Sequence, residues 1–230
     1  MQRRASKGPT FKFERAVLKR LPDAIVAGVD EAGRGPLAGP VVAGAVILDI
    51  KKTPKSLRQG LDDSKKLTAE RREELYAILV SCGAAVIGVG QADVHEIDSF
   101  NILNATYRAM ARAVNSLGHL VTVALVDGNR APPLTCTVET VIQGDGKSLS
   151  IAAASIVAKV TRDRLMTALA AQHPGYGWDA NMGYGTRVHC EAMARMGVTE
   201  HHRRSFAPVR AVLAGDDPNQ IEMFDPQAAE

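Results

Sequence analysis

Ala24-Ile-Val-Ala-Gly-Val29, followed at once by Asp30-Glu31, is the stretch from which the fold is read. A short unbroken apolar run with β-branched residues, too brief for a helix, is a buried strand. Gly33-Arg34-Gly35-Pro36 ends it with a turn. Gly39 to Leu48 is again apolar and β-branched. The connection is short, so the second strand is expected to run antiparallel to the first.

Outward from this pair, the chain alternates. Leu61 to Leu67 is a polar loop, and Thr68 is placed to cap a helix reaching Val80, with Arg71 as its third residue. Ala84–Val89, Val121–Val126 and Thr137–Ile142 are further strands. Ala92 to Leu117 reads as a short helix and then a longer one starting near Asn101. Ile151 to Ala171 is a long helix closed by His173-Pro174-Gly175. A Gly- and Tyr-rich loop from Tyr176 to Gly185 precedes helices over Thr186–Met196 and Ala207–Leu213. The pattern predicts an α/β protein with a mixed five-stranded sheet flanked by helices on both faces and a C-terminal helical extension. Residues 1–22 form a basic N-terminal tail or a short edge helix, 23–214 the folded domain, and 215–230 a flexible C-terminal tail.

Composition sets the bounds. With 230 residues, 46% hydrophobic and 23% charged, the chain can build one substantial core. Aromatics at 4% make that core aliphatic. Cys82, Cys136 and Cys190 are far apart and odd in number, against a disulfide framework or a cysteine zinc site. No run spans a bilayer and no secretory signal leads the chain, so a cytoplasmic monomer is expected. A net charge of +3 is compatible with nucleic acid without demanding it.

Three apolar segments end in acids: Asp30-Glu31, Asp127 and Asp145. In open α/β sheets ligands bind beyond the carboxyl ends of strands. Converging carboxylates repel unless a cation intervenes, and Mg²⁺ or Mn²⁺ favours such oxygen donors. Two ions could activate a water and stabilise the leaving oxygen of a phosphodiester. Against this, Asp-Gly after a strand is a common turn, and spacing alone leaves both readings open. There is also a geometric objection. Neighbours on a strand point to opposite faces, so Asp30 and Glu31 share a site only where the strand ends or bulges. The histidines show no ligand spacing such as H-E-x-x-H. Gly144-Asp-Gly-Lys-Ser148 ends like a phosphate-binding loop, but the glycine needed five positions before Gly146 is Val141.

Residues 27–41, Ala-Gly-Val-Asp-Glu-Ala-Gly-Arg-Gly-Pro-Leu-Ala-Gly-Pro-Val, resemble the signature of bacterial ribonuclease HII. So do Asp63–Leu67, Glu96–Leu103, Leu125–Arg130, Ile151–Asp163, Gly183–Thr186 and His202–Phe206, in the family's order over roughly residues 24–210. The resemblance implies a ribonuclease H-like fold and an endonuclease acting on RNA/DNA hybrids and on ribonucleotides embedded in duplex DNA. It would cut on the 5′ side and leave a 3′-hydroxyl and a 5′-phosphate. It implies Asp30, Glu31, Asp127 and Asp145 as ligands of Mg²⁺ or Mn²⁺, two ions with substrate. The short segment before Ala24 favours this family over its sister, ribonuclease HIII, which carries an extra N-terminal domain.

The resemblance also implies that Gly33, Arg34 and Gly35, with Tyr184, recognise the RNA–DNA junction. Glycines let backbone groups approach the sugar, and the tyrosine ring would exclude a 2′-hydroxyl from the next sugar. Ser64, Lys65 and Lys66 suit phosphate contacts. Asn129 and Arg130 follow a ligand and would position it or the phosphate. Ser155, Lys159 and Arg162 share one helix face, which either meets DNA or is an ordinary polar side. His202, Arg203 and Arg204 read equally as backbone contacts or solvated surface. Gln220, Met223 and Phe224 resemble the peptide by which bacterial replication proteins dock on the sliding clamp; the alternative is a tail packed on its own domain.

Overall fold

The computed structural model describes residues 8–216. In chain order it builds α1 (Lys12–Arg20), β1 (Val26–Ala32), β2 (Val41–Leu48), α2 (Lys55–Gly60), α3 (Ala69–Ser81), β3 (Ala85–Ala92) and α4 (Val94–Asn115). There follow β4 (Val123–Asp127), β5 (Thr137–Val141), α5 (Leu149–Gln172), α6 (Trp178–Asn181), α7 (Arg187–Met196) and α8 (Ala207–Ala214). The mixed sheet has the order β3-β2-β1-β4-β5. β1, β4 and β5 run parallel. The chain divides into two compact units. One runs through Glu31, from Ala43 to Gly90 and from Met110 to Val160; the other takes Ala32–Val42, Gln91–Ala109 and the chain from Thr161 onward.

Local chemistry explains the element ends. The Thr68 hydroxyl accepts from the Arg71 N–H at 3.2 Å, the expected cap of α3. α4 breaks at Asn101, whose φ is 65°, and the Asn101 carboxamide caps the second segment by accepting from Asn104 N–H at 3.1 Å. Of the two readings for residues 1–22, the structure takes the helix over 12–20. α1 buries Val17 and Glu14. The Glu14 carboxylate accepts from Ser150 N–H (2.9 Å) and from the Ser148 and Ser150 hydroxyls (2.6 Å each). A protein carboxylate therefore occupies the N-terminus of α5, where a phosphate-binding loop would hold its phosphate.

In the first unit, α5 lies against the sheet through small residues. A Cβ added to Gly28 on β1 would sit 2.1 Å from the Ser150 carbonyl carbon, and one on Gly44 of β2 would sit 2.4 Å from the Ala154 oxygen. Ala152, Ala153, Ala154 and Ala158 on α5 are fully buried. This close approach fixes which face of β1 looks at α5. Side chains alternate along a strand, so Asp30, two residues after Gly28, lies on the α5 face. Gly28 pairs with Leu125, which puts Asp127, two residues beyond, on that same face of β4.

The second unit has its own core of Leu37, Met166, Tyr176, Trp178, Met193 and Val209. Among the described residues no helix is long and apolar enough to cross a membrane, and all three cysteines are free.

Candidate active site

β1 does not stop before its acids. It runs through Asp30 and Glu31 to Ala32, one residue short of Gly33 at φ +94°. The pair thus lies inside the strand, just before its last residue, where alternation is about to end. Asp30 is buried and Glu31 half-buried. The Glu31 N–H donates to the Asp30 carboxylate at 2.8 Å. Burial, then the charges of Glu31 and Asp127, push the Asp30 carboxyl well above its ordinary range, against hydrogen bonds from Ser155 and the Glu31 amide.

Asp127 ends β4, and its carboxylate accepts from Gly144 N–H. Asp145 sits in a single 3₁₀ turn, Gly144–Gly146, just after β5. Its carboxyl is raised to about 6, first by burial, then by the charges of Asp127 and Asp63. Asp127 therefore links Asp30 to Asp145, and Glu31 joins through Asp30. The largest charge effects on Asp30 and Asp145 all come from other acids. Such a set is deficient in positive charge, and a divalent cation fits it.

Sequence reasoning passed over two members of this cluster. Asp63 acts directly on Asp145 by charge and by a side-chain hydrogen bond. Ser155 is buried on α5; its hydroxyl donates to the Asp30 carboxylate and is hydrogen-bonded to the Ser64 hydroxyl at 2.8 Å. Ser64 is itself buried, so the phosphate contact expected of it finds its hydroxyl already engaged beside Asp30. Lys65, Lys66, Asn129 and Arg130 are exposed. Lys66 Nζ lies 3.4 Å from Asp62 and 3.8 Å from Asp63.

In the second unit, the segment from Gly33 to Pro40 is held by two arginines. Arg162 Nε, Nη1 and Nη2 donate to the carbonyls of Pro40 (3.0 Å), Met182 (2.9 Å) and Ala38 (3.1 Å). Arg203 donates to those of Arg34 (2.8 Å), Gly33 (2.6 Å) and Gly39 (2.9 and 3.0 Å). Their exposures are 1% and 0%. Neither the DNA-facing nor the solvated reading of these residues survives. Arg162 has left the polar face predicted for it, and His202 and Arg203 are interior. The reason is backbone carbonyls: a loop without regular pairing leaves acceptors that guanidinium forks can satisfy. A Cβ on Gly33 would lie 1.9 Å from Arg162 Nε, so only glycine admits the fork there. Arg204 and Ser205 donate their N–H groups to Asp98, at 3.0 and 2.9 Å.

The Tyr184 ring is half-buried, and a Cβ on Gly35 would be 3.6 Å from its Cε1. The Tyr184 backbone is fixed by a neutral histidine relay. Thr199 N–H donates to His202 Nδ1 (3.0 Å), so His202 carries its proton on Nε2, facing His189 Nε2 at 3.1 Å. Trp178 Nε1–H also donates to His189 Nε2 (2.9 Å). His189 therefore has its proton on Nδ1 and donates it to the Tyr184 carbonyl (2.9 Å). Burial lowers the His189 pKa, and burial with the neighbouring His189 lowers that of His202 to about 3, so both rings stay neutral. The clamp-like peptide, Gln220, Met223 and Phe224, lies outside the described residues.

A family model described as ribonuclease HII matches residues 27–209. The ribonuclease HII of Parvibaculum lavamentivorans is 58% identical over 207 residues, covering 90% of this chain and 74% of that protein. That of Paramagnetospirillum magneticum is 59% identical over 185 residues, covering 80% of this chain and 91% of that protein. Among solved structures, the ribonuclease H2 of Pyrococcus horikoshii OT3 superposes with a TM-score of 0.68 at 31% identity, covering 83% of this chain and 97% of its own. The RNase HII of Archaeoglobus fulgidus, solved in complex with PCNA, gives 0.66 at 27% identity, covering 80% and 95%.

Proposed function

The chain belongs to the ribonuclease HII family and is a type 2 ribonuclease H, and we propose that it cuts on the 5′ side of ribonucleotides embedded in duplex DNA and hydrolyses the RNA strand of RNA/DNA hybrids, leaving 3′-hydroxyl and 5′-phosphate ends. Its role is removal of ribonucleotides and RNA primers from DNA. The observation that carries this reading is the chain of acids Glu31–Asp30–Asp127–Asp145, in which burial and the charges of Glu31 and Asp127 raise Asp30, and burial and the charge of Asp127 raise Asp145. Asp30, Glu31, Asp127 and Asp145 would hold Mg²⁺ or Mn²⁺, two ions with substrate. When bound, the ions supply an activated water and neutralise charge at the leaving oxygen.

The protein's own residues prepare that site. Ser155 and the Glu31 amide orient the Asp30 carboxylate, and the Gly144 amide orients Asp127. Gly33, Arg34 and Gly35 offer backbone groups to the 2′-hydroxyl, from a loop that Arg162 and Arg203 hold still. Tyr184, its backbone pinned by His189, rejects a second 2′-hydroxyl by bulk. Lys65, Lys66, Asn129 and Arg130 meet phosphates; Ser64 supports Asp30 through Ser155. Cleavage of a duplex carrying one ribonucleotide, with Mg²⁺, with Mn²⁺ and with EDTA, tests the proposal. Metal-independent cutting, or none with either ion, overturns it.

Gln220, Met223 and Phe224 support a second element, docking on a replication sliding clamp, and the Archaeoglobus relative solved with PCNA lends it weight. Full-length protein should bind the bacterial clamp and Phe224→Ala should not. No binding by the full chain ends this element while leaving the nuclease reading intact.

A further inference from the structure

His173, Glu200 and His201 lie together in the second unit, apart in sequence from the four acids. His173 follows directly on the C-terminus of α5, where its N–H bonds the Leu169 carbonyl at 2.9 Å. Glu200 and His201 belong to the loop between α7 and α8, and the His201 N–H bonds the Thr199 hydroxyl at 3.2 Å. Both imidazoles direct Nε2 at the same carboxylate oxygen. His173 Nε2 is 4.0 Å and His201 Nε2 is 3.7 Å from Glu200 Oε1, and one ligand atom from each residue falls within 4.8 Å of the other two.

The two rings are held rather than free. They meet edge to face at 4.8 Å between centroids, and the buried Trp178 indole contacts both, at 5.7 and 6.3 Å. Their side chains are 23% and 29% exposed, while Glu200 is 69% exposed. Two imidazoles are thus set by packing, and the third donor is a solvent-exposed carboxylate beside them. Three donors at about 2.0–2.2 Å from a tetrahedral ion stand about 3.3–3.6 Å apart. The Glu200 oxygen, at 4.0 and 3.7 Å from the two nitrogens, needs only a small inward movement.

We infer that His173, His201 and Glu200 form a second metal site, selective for a borderline transition ion of the Zn²⁺ class and distinct from the hard-ion site of the four acids. Two nitrogens and one oxygen favour Zn²⁺, Ni²⁺ or Co²⁺ over Mg²⁺. A solvent-facing fourth position is left for water. The ion would tie the end of α5 to the loop that carries His202 and Arg203, and the His201 carbonyl already accepts from Gly39 N–H at 2.9 Å. Its role is therefore structural, bracing the segment from Gly33 to Pro40 within this unit. Sequence spacing does not reveal it, because His173 and His201 come from separate elements.

The test titrates Zn²⁺, and separately Co²⁺, into the metal-free full-length protein with Mg²⁺ in large excess, so that the oxygen site is filled by an ion that imidazoles do not favour. One equivalent of Zn²⁺ should bind and raise the melting temperature. Bound Co²⁺ should show the visible absorption of a low-coordinate site with nitrogen donors. His173→Gln and His201→Gln should each weaken binding at least tenfold and abolish the thermal shift, and Glu200→Gln should weaken it less. Mg²⁺-dependent cleavage by these variants should stay within about twofold of the parent when no Zn²⁺ is added. Absence of Zn²⁺ binding under excess Mg²⁺ overturns the inference. So does binding that both histidine variants retain at full strength, which would return the ion to the acids.

Discussion

The two regions that flank Ala32 in sequence treat buried charge in opposite ways. On one side, Asp30 is buried among acids, and Glu31 and Asp127 push its carboxyl upward. On the other, Arg203 is as deeply buried, yet its guanidinium is satisfied by the carbonyls of Gly33, Arg34 and Gly39. The first arrangement is poor as architecture and useful only when a cation arrives. The second is complete by itself and needs no ligand. Unrelieved repulsion marks where chemistry is prepared, whereas a fully hydrogen-bonded ion marks where shape is maintained.

This contrast breaks most sharply under substitution. Asp30→Asn should lower cleavage of a single embedded ribonucleotide by about 10³-fold or more, because a ligand is lost. Affinity for the same duplex should change little. Metal-free stability should hold or rise, since a repelled charge is removed. Near-normal turnover would take Asp30 out of the metal-binding set. Arg203→Ala should do the reverse. It leaves three carbonyls unpaired in the interior and should cost about 3–5 kcal/mol in denaturant unfolding. Arg203→Lys should recover only part of that, since an ammonium lacks the fork. An Arg203→Ala protein of unchanged stability would mean that the carbonyls find water instead.

Legibility in the sequence follows the same division. The strands were readable because apolar runs with β-branched residues have few other uses. The α3 cap at Thr68 and the break at Asn101 were readable because each rests on contacts within three residues. The acids were visible because each comes at the end of an apolar run. What could not be read was burial of polar groups by partners distant in sequence. Arg162 and Arg203 carry no local sign that carbonyls more than a hundred residues away await them. Ser155 looked like one member of a polar stripe, although it reaches Asp30 and Ser64. Asp63 was absorbed into a lysine-rich loop motif, and its action on Asp145 emerged only from the fold.

Tyr184 stands on the shape side of the comparison but serves recognition. Tyr184→Ala should lower single-ribonucleotide cleavage about tenfold, on the scale of one lost packing contact of about 1–2 kcal/mol. It should leave the melting temperature nearly unchanged, because His189 binds its backbone carbonyl and not its ring. Equal losses of activity and stability would make the ring a structural element.

The smallest effect concerns pH. Asp145 titrates near 6 in the fold and near 3.9 in the unfolded chain. Below about pH 4 both states hold the proton and the site contributes nothing. Between about 4 and 6 the folded state binds more protons than the unfolded one, so stability falls as pH rises, and above 6 the full cost is present. Asp145 is only half-buried, so solvent screening reduces that cost to the order of 1 kcal/mol. Exposed acids with lowered pKa values, such as Asp49 and Glu200, act in the opposite sense. The measurement is therefore a difference: urea midpoints of the parent and Asp145→Asn in EDTA, from pH 4.5 to 7. The variant should gain on the parent as pH rises, and added Mg²⁺ should close the gap by restoring the parent. Midpoints that run parallel across this range would mean that the acids are not in conflict, and the distinction between a site that waits for a cation and a loop that needs none would lose its basis.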